Sequence, residues 1–473
     1  MWPLHSASPH KSSVPPGIAA GHPATAQAGL EVLEDGGSAA DAAVAASLAS
    51  CVAEVVMTGL AGGGHAIWYD AASGNGMLLD FFVAVPGLGC AKRDVELVEL
   101  EVPFGTELVH YAVGIGSCAV PGVPAGLDEL WRRHGRLPWG RLVAPAIRLA
   151  REGVVMPPAH AACLAMLEPV MTMREGRELY TVKGRLLEAG DLLVQPGLAR
   201  GLELLANEGG RSFYDGSLAR SLLGLMEERA GLVTRADLDA YRPRWLEPAE
   251  AAYAGTRVLT RAGLARLAET LERVPPLRGL SAAERAVSLA RILAAGDRGG
   301  HTTNLVTVDP DGNACSLTTS LGLGSGDFLP GLDVHLNSML GEVDLLVGPI
   351  EPGVRMESMM APTLAVDADG LVLAAGAAGG TRLRSALTQV VSGVLDEGLT
   401  AVDAVERPRL HPAASVVHVE PGLEPEALDA LDDAGFEVRR WAARHHYFGG
   451  VSVIARNGAA ADPRRSGAAE PLR

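Results

Sequence analysis

The sequence predicts an α+β protein in which helices cover stacked antiparallel sheets. Helical hydrophobic patterns occupy the N-terminal region and much of residues 120–300. Two β-hairpins are predicted further along, at residues 304–320 and 362–375, and an amphipathic helix follows the second one. Because a sheet built from hairpins must bury one face against another layer, this order of elements indicates helices packed on stacked sheets.

Two helices and a strand are predicted near the N-terminus. The first helix covers residues 25–33, with apolar side chains on one face, and ends at the glycine pair 36–37. Ser38 opens the second helix, because its hydroxyl and the Asp41 carboxylate have the spacing of a capping box. A glycine triplet and a short strand at residues 65–69 come next.

The two hairpins are predicted from their turns. Residues 309–313 read Asp-Pro-Asp-Gly-Asn and residues 367–370 read Asp-Ala-Asp-Gly, and β-rich runs flank both segments. Gly379 and Gly380 then lead directly into a helix whose apolar positions recur over residues 383–394.

Composition and charge exclude several classes of protein. The 473 residues carry a net charge of −16 and are 48% apolar, enough for a large buried core. An acidic chain has no basic field with which to bind a phosphate backbone, so no nucleic-acid partner is expected. The longest apolar run, residues 42–53, lies between Asp41 and Glu54 and falls short of the ~18 residues that span a bilayer, so no membrane partner is expected.

The ends of the chain and its cysteines favour a cytoplasmic protein. Residues 1–17 form a polar, proline-rich leader without the apolar region of a secretory signal, and residues 457–473 are predicted to be a disordered tail. The five cysteines are scattered without a CxxC pair, which is typical of buried thiols in a reducing compartment. They are Cys51, Cys90, Cys118, Cys163 and Cys315.

Common catalytic motifs do not occur in the sequence. It contains no phosphate-binding G-x-x-x-x-G-K-[ST], no H-E-x-x-H and no G-x-S-x-G, and its 13 histidines do not have metal-ligand spacing. No metal site is therefore expected. The glycine triplet 62–64 is not followed by a helix with a phosphate-binding lysine, so we interpret it as a tight passage of the backbone.

The informative segment is Gly-Gly-His-Thr-Thr-Asn at residues 299–304, immediately before the first hairpin. Alone, it reads as a loop that joins a helix to a strand. Together with blocks elsewhere, it resembles the gamma-glutamyltranspeptidase (glutathione hydrolase) family of N-terminal-nucleophile hydrolases. The blocks, collinear from residue 18 to residue 456, are GHPAT at 21–25, AGLEVL at 28–33, GGSAADAA at 36–43, GGG at 62–64, AVPG at 119–122, LPW at 137–139, GLVT at 231–234, TT at 302–303, DGNA at 311–314 and GGTR at 379–382.

The resemblance implies a fold and a processing event. The fold is a four-layer αββα sandwich of the N-terminal-nucleophile hydrolase type, built from two fragments of one precursor. The precursor would cut itself at the His301–Thr302 bond, giving a large-subunit part, residues 18–301, and a small-subunit part, residues 302–473. Thr303 is the competing cut site and a candidate substrate contact.

The resemblance also implies roles for individual residues. Thr302 is the nucleophile, and its freed α-amine, with a reference pKa of ~7.7–8.0, is the general base. Gly379 and Gly380 are the oxyanion donors. Ser320 occupies the position of a threonine that bonds the nucleophile, and Ser358 matches one of two serines near the substrate. Since all these groups belong to the protein, no organic cofactor or metal is expected.

Departures from the family pattern concern the substrate. Phe82 stands where the family has the arginine that binds the glutamyl carboxylate, Gly341 where it has an aspartate for the amine, and Gly322 where it has an asparagine. We therefore expect an apolar or short acyl group and weak glutathione activity. The stretch between residues 253 and 302 is also shorter than usual in the family, which bears on self-processing.

Two alternatives stay open at this point. One is a true gamma-glutamyl hydrolase or transferase that uses Arg382 or Arg384 for the carboxylate. The other is an unprocessed, non-catalytic scaffold or binding protein that keeps the fold. The expected partners are a small amide or peptide substrate and the protein's own cleaved fragment, as a heterodimer that can assemble further.

Overall fold

The computed structural model describes residues 13–90, 94–104, 107–294, 302–348, 350–380, 382–413 and 415–473. Their helices are α1 (Pro23–Glu34), α2 (Ala39–Ala53), α3 (Val123–His134), α4 (Trp139–Glu152), α5 (Pro158–Met166), α6 (Glu168–Met171), α7 (Gly176–Tyr180), α8 (Pro196–Glu208), α9 (Ser217–Glu228), α10 (Arg235–Ala240), α11 (Leu267–Arg273), α12 (Ala282–Leu293), α13 (Arg382–Leu395), α14 (Ala401–Glu406) and α15 (Pro425–Asp433).

The strands of the same residues form two large sheets and several small ones. They are β1 (Gly17–Ala20), β2 (Gly63–Asp70), β3 (Asn75–Phe81), β4 (Val98–Phe104), β5 (Glu107–Val113), β6 (Val154–Val155), β7 (Thr181–Val182), β8 (Arg185–Leu186), β9 (Leu192–Leu193), β10 (Arg244–Leu246), β11 (Ala249–Tyr253), β12 (Thr256–Thr260), β13 (Thr303–Val308), β14 (Ala314–Ser320), β15 (Phe328–Leu329), β16 (Val334–His335), β17 (Thr363–Asp367), β18 (Gly370–Ala378), β19 (Leu410–Ala413), β20 (Val416–Val419), β21 (Glu437–Arg440), β22 (Gly450–Ala455), β23 (Gly458–Ala461) and β24 (Ala468–Pro471).

The first large sheet has seven strands in the order β10-β3-β2-β14-β13-β1-β24. The predicted hairpin β13–β14 is confirmed, and it is inserted between two strands from the N-terminal part of the chain. Helices α1–α4 and α8 cover the outer face of this sheet, where the alanine-rich α2 lies against β13 and β14. Small side chains on α2 allow this close approach, as the composition indicated.

The second large sheet has six strands in the order β11-β12-β17-β18-β22-β23. It stacks on the first sheet through an apolar layer that includes Val306, Ile67, Leu364 and Ile454. Helices α11–α14 cover its outer face. Two stacked sheets between two helical layers are the αββα sandwich that the resemblance implied, and the predicted fold class is confirmed.

Local signals in the sequence identified the N-terminal elements correctly. Ser38 is the N-cap of α2, its Oγ accepts the Asp41 N–H, and Asp41 Oδ2 accepts the Ser38 N–H. Asp41 Oδ2 also accepts the N–H groups of Arg136 and Leu137. The capping box therefore also anchors the loop between α3 and α4 to the start of α2.

The predicted disordered tail is wrong. Residues 468–471 form β24, which pairs antiparallel with β1, and β23 pairs with β22. The leader is shorter than predicted as well: Val14 is buried and β1 begins at Gly17, whereas residues 1–12 lie outside the described residues. The polar composition of both segments gave no sign that they form paired strands. Strand partners that lie far apart in the chain leave no local sequence pattern.

A buried ion cluster fastens the tail. Arg464 lies between Glu420 and Asp462, and Asp462 also pairs with Arg409 at 2.6 Å. All four side chains are at most 2% exposed. Removing one partner from such a cluster leaves an uncompensated buried charge, which costs about 3–5 kcal/mol.

No helix within the described ranges is long and apolar enough to cross a membrane. All five cysteines are free thiols, and each is buried except Cys90, which is intermediate.

We predict that Arg464→Ala lowers the free energy of unfolding by about 3–5 kcal/mol, because Glu420 and Asp462 lose their cation. Urea denaturation measures the change. Arg439→Ala is the matched control, since the pair between Arg439 and Glu437 is exposed, and it is expected to shift stability by less than about 1 kcal/mol. Equal effects of the two substitutions would contradict the role given to the cluster.

Candidate active site

The predicted nucleophile and the predicted oxyanion loop meet in space. Thr302 comes immediately before β13, and its Oγ1 accepts a hydrogen bond from the N–H of Gly379, at the end of β18, at 3.1 Å. The two residues belong to different sheets and lie 77 positions apart in the chain. Thr302 is 6% exposed. His301, the other side of the predicted cut, lies outside the described residues.

Gly379 has to be glycine at this position. Its φ is +130°, and an ideal Cβ would lie 2.8 Å from the Cα of Gly449. Gly380 also has a positive φ, +59°, and α13 begins two residues later at Arg382. The diglycine therefore turns the chain from the end of β18 into α13 and directs the N–H of Gly379 at Thr302.

Ser320 is the last residue of β14, beside the start of β13. The ladder pairs Thr303 with Thr319, so continuing its register by one residue places Ser320 opposite Thr302. The Ser320 Oγ accepts the N–H of Gly322 at 3.1 Å. This position fits the predicted role of Ser320 as a hydroxyl next to the nucleophile.

Thr303 lies on the opposite face of the sheet from Thr302. Its hydroxyl donates to Oε2 of Glu54, and Oε1 of the same carboxylate accepts the hydroxyl of Thr25 at 2.7 Å. Neighbouring residues in a strand point to opposite faces, so Thr303 faces the helices while Thr302 faces the second sheet. The Thr303 hydroxyl is thus engaged by Glu54, and its roles as a competing cut site and a substrate contact stay predictions.

Glu54 is a buried carboxyl group directly behind the nucleophile. Burial raises its pKa to about 7, although the hydroxyls of Thr303 and Thr25 and the charge of Arg465 oppose the shift. Arg465 approaches from the tail, and its Nη2 would lie 3.3 Å from a Cβ on Gly379. Burial lowers the pKa of the Arg465 guanidinium.

Phe82 lies in an apolar cluster. It ends the row of laterally neighbouring residues that runs across the first large sheet from Thr302 through Ser320. The ladders pair Ser320 with Gly63 and Gly64 with Phe81, so the next position beside Gly63 is Phe82. Its ring stacks on His65 at 5.6 Å between centroids. The buried members of the cluster are Phe82, Val83, Val85, Ala119, Met339, Leu345, Met356 and Met360.

The backbone of Phe82 is held firmly. Its N–H donates to Asp80 Oδ1 at 2.9 Å, and its carbonyl oxygen accepts both the Tyr241 hydroxyl, at 2.6 Å, and the guanidinium of Arg355. Arg355 belongs to the segment that carries Ser358, whose Oγ accepts the N–H of Met360 at 3.1 Å. The structure thus joins Phe82 and the Ser358 segment through Arg355 and the apolar cluster.

The structure also explains the two other departures from the family pattern, at Gly341 and Gly322. At Gly341 an ideal Cβ would lie 1.6 Å from the carbonyl oxygen of Ala112, so no side chain fits where the family has its aspartate. At Gly322 a Cβ would lie 2.6 Å from both Glu342 Oε1 and Ser338 Oγ. Glu342 is buried, and burial raises its pKa to about 8.

The arginines considered for the glutamyl carboxylate have other contacts. The Arg382 guanidinium lies over the ring of Tyr447, 4.3 Å from its centroid. Arg384 donates from Nη2 to the carbonyl oxygen of Leu293 at 2.8 Å. Both side chains are buried, at 4% and 3% exposure.

Sequence reasoning missed three charged residues near the site. Glu54 stood out only as the charge that ends an apolar run, Glu342 only as a neighbour of Gly341, and Arg465 lay in the supposed tail. An acidic residue at the end of a buried helix is a usable signal, because it needs partners there. For Arg465, the sequence offers no comparable signal.

The αββα sandwich is the fold of the N-terminal-nucleophile hydrolases, and in this chain Thr302 stands at the start of a central strand of that sandwich. A sequence model of the Gamma-glutamyltranspeptidase family matches residues 25–272 and 272–472. The chain belongs to this family.

Relatives with two kinds of name align over nearly the whole chain. The Acylase ACY 1 proenzyme of Pseudomonas sp. (strain V22) is 28% identical over 93% of this chain and 89% of its own. The Glutathione hydrolase proenzyme of Bacillus subtilis (strain 168) is 26% identical over 96% and 90%. The crystal structure of cephalosporin acylase from Bacillus halodurans superposes with a TM-score of 0.80 at 24% identity, over 99% of this chain and 98% of the other, and supports the fold.

We predict that Gly379→Ala lowers the rate of amide cleavage by about 10²–10³-fold, the usual effect of losing one oxyanion donor. The new Cβ would press on Gly449 and shift the N–H away from Thr302. Gly224→Ala is the control, because its Cβ would meet nothing within 4 Å. A full rate in Gly379→Ala, with fold intact by circular dichroism, would contradict this assignment.

Proposed function

We propose that the protein is a self-processing threonine amidohydrolase or acyltransferase that acts on amides with an apolar or short acyl group, in the cytoplasm. The observation that carries the proposal is the hydrogen bond from the Gly379 N–H to Thr302 Oγ1. It brings a backbone donor at the end of a strand in one sheet to a hydroxyl at the start of a strand in the other.

Self-processing begins with attack of Thr302 Oγ1 on the carbonyl carbon of His301. The C–N bond breaks, the nitrogen keeps its own proton and takes the one that Oγ1 loses to become the new α-amine, and an ester joins His301 to the Thr302 oxygen. Water then hydrolyses the ester, which leaves a carboxylate on His301 and restores the hydroxyl of Thr302.

Turnover uses the same oxygen. The α-amine of Thr302 takes the proton from Oγ1, which attacks the substrate carbonyl, and the N–H groups of Gly379 and Gly380 stabilise the oxyanion. The proton passes to the leaving amine, and an acyl-Thr302 ester forms. Water or a second amine, deprotonated by the α-amine, then takes the acyl group.

The proposed acyl specificity is supported by the apolar cluster around Phe82. A free carboxylate buried against Phe82 and its methionine neighbours would lose hydration, at a cost of several kcal/mol, and the Arg355 guanidinium beside Phe82 is already engaged by the Phe82 carbonyl oxygen and by Asp80. An alkyl or aryl group would gain about 0.8 kcal/mol per buried methylene. Flexible methionines adapt to acyl groups of different shapes.

A second candidate function is gamma-glutamyl hydrolysis or transfer. The aligned relatives named Glutathione hydrolase favour it. The present contacts of Arg382 and Arg384 speak against either as the carboxylate cation.

The cleaved fragments are expected to remain associated as a heterodimer. Strands β13 and β14 of the smaller fragment lie between β2 and β1 of the larger one, and β24 pairs with the other side of β1, so separating the fragments would require breaking several ladders. Higher assembly of this heterodimer is compatible with the proposal.

We predict two bands on a denaturing gel for the wild type and one for Thr302→Ala, because the variant lacks the attacking hydroxyl. Thr302→Ser is the control that keeps a hydroxyl, and it is expected to cleave. A single band for all three would refute processing and favour the non-catalytic scaffold.

We predict that kcat/KM rises about fourfold per methylene along a series of straight-chain acyl anilides, until the cluster around Phe82 is filled. Glutathione and gamma-glutamyl anilide are expected to react at least tenfold more slowly than the best member. Phe82→Ala should weaken the dependence of kcat/KM on the length of the acyl chain. A gamma-glutamyl substrate that exceeds every alkyl substrate would instead establish the second candidate function.

A further inference from the structure

Behind the nucleophile, one carboxylate joins three elements of the fold. Glu54 lies just after the last residue of α2 and is 2% exposed. It accepts hydroxyl hydrogen bonds from Thr25 on α1 and from Thr303, the first residue of β13. The backbone at Gly21 packs tightly against this contact. An ideal Cβ on Gly21 would lie 2.4 Å from Glu54 Oε2 and 2.9 Å from Thr303 Oγ1.

The proposed cleavage makes this contact important. Once the bond before Thr302 is cut, β13 begins one residue after the catalytic threonine, and no upstream chain holds its end. Strand ends fray unless something ties them down. Thr303 is the residue next to the catalytic threonine, and its hydroxyl ties the start of β13 to Glu54.

We propose that Glu54 is a positioning residue: its ionised carboxylate clamps Thr303 to α1 and α2 and so keeps the freed Thr302 aligned with Gly379. The proposal rests on the proposed function above. An ionised carboxylate accepts from both hydroxyls at once, whereas a protonated one must donate to one of them or lose that contact. Protonation of Glu54 therefore replaces two charge-assisted hydrogen bonds with weaker neutral ones and loosens the start of β13.

Other titratable groups face the same space. Arg465 from the tail is cationic, His160 on α5 is kept neutral because burial lowers its pKa to about 3, and burial raises the pKa of Cys51 on α2. His22, which contacts His160, has a pKa lowered by burial to about 4. Near neutral pH, Glu54 is thus the group in this set whose charge changes.

These pKa values set the direction in which pH changes the hydrogen bonds of Glu54 and the activity. The clamp is present above about pH 7 and is lost as pH falls through the pKa of Glu54. The α-amine also has to lose a proton to act as base, with a pKa of ~7.7–8.0. With two groups to deprotonate, log kcat/KM of the wild type should fall with a slope approaching 2 below about pH 6.5.

The test compares Glu54→Gln with the wild type. We expect kcat of Glu54→Gln to fall about tenfold or more at pH 8 with KM little changed. The slope of its log kcat/KM against pH should become 1 below about pH 6.5. Thr303→Val should reproduce this behaviour and Thr303→Ser should restore the wild-type profile. Thr58→Val, which removes a hydroxyl that donates to Thr319 on the same face, should keep the wild-type slope.

A second readout does not depend on catalysis. Amide hydrogen exchange of the peptide at residues 303–308 should be faster in Glu54→Gln than in wild type at pH 8, and equal at pH 5.5. Equal exchange at both pH values, or an unchanged slope in folded Glu54→Gln and Thr303→Val, would overturn the clamp. An uncut, inactive wild type would instead refute the proposed function, while the exchange comparison still decides the role of Glu54.

Discussion

The register of the central ladder is the constraint on which the site depends. Pairing of Thr303 with Thr319 and of Ser320 with Gly63 sets which residues face the second sheet. A shift of one residue would turn Thr302 towards the helices and present Thr303 to Gly379 instead, because side chains alternate along a strand. The chemistry therefore rests on a backbone alignment that buried side chains on both faces hold in place.

Glycines make this alignment possible at the crowded end of the sheet. Cβ atoms on Gly62, Gly63 and Gly64 would lie 2.3–2.6 Å from the nearest backbone atoms of neighbouring strands. The triplet is thus the tight backbone passage that the sequence indicated.

Local chemistry explains what the sequence predicted well. The Ser38 capping box, the Asp-Gly turns of both hairpins and the diglycine before α13 are short-range signals, and each lies where the pattern placed it. The fold also brings Thr302 and Gly379, to which the resemblance assigned the nucleophile and an oxyanion donor, within hydrogen-bond distance of each other, while those roles stay predictions.

Features that depend on partners distant in the chain were not predicted. The tail looked disordered because β24 gains its stability from β1, some 450 residues away. In the sequence, Glu54 stood out only as the charged residue that ends an apolar run. Its partners Thr25 and Thr303 are distant from it in the chain, so no local pattern pointed to their contact. Thr303 stood beside Thr302 as a competing cut site, and strand alternation places the two side chains on opposite faces of the sheet.

N-terminal sequencing of the smaller fragment of the purified protein decides whether the chain is cut before Thr302. We expect a sequence that begins Thr-Thr-Asn, with residue 302 as a free amino terminus. A fragment that begins at residue 303 or elsewhere, or a chain that stays whole under all conditions, would contradict it.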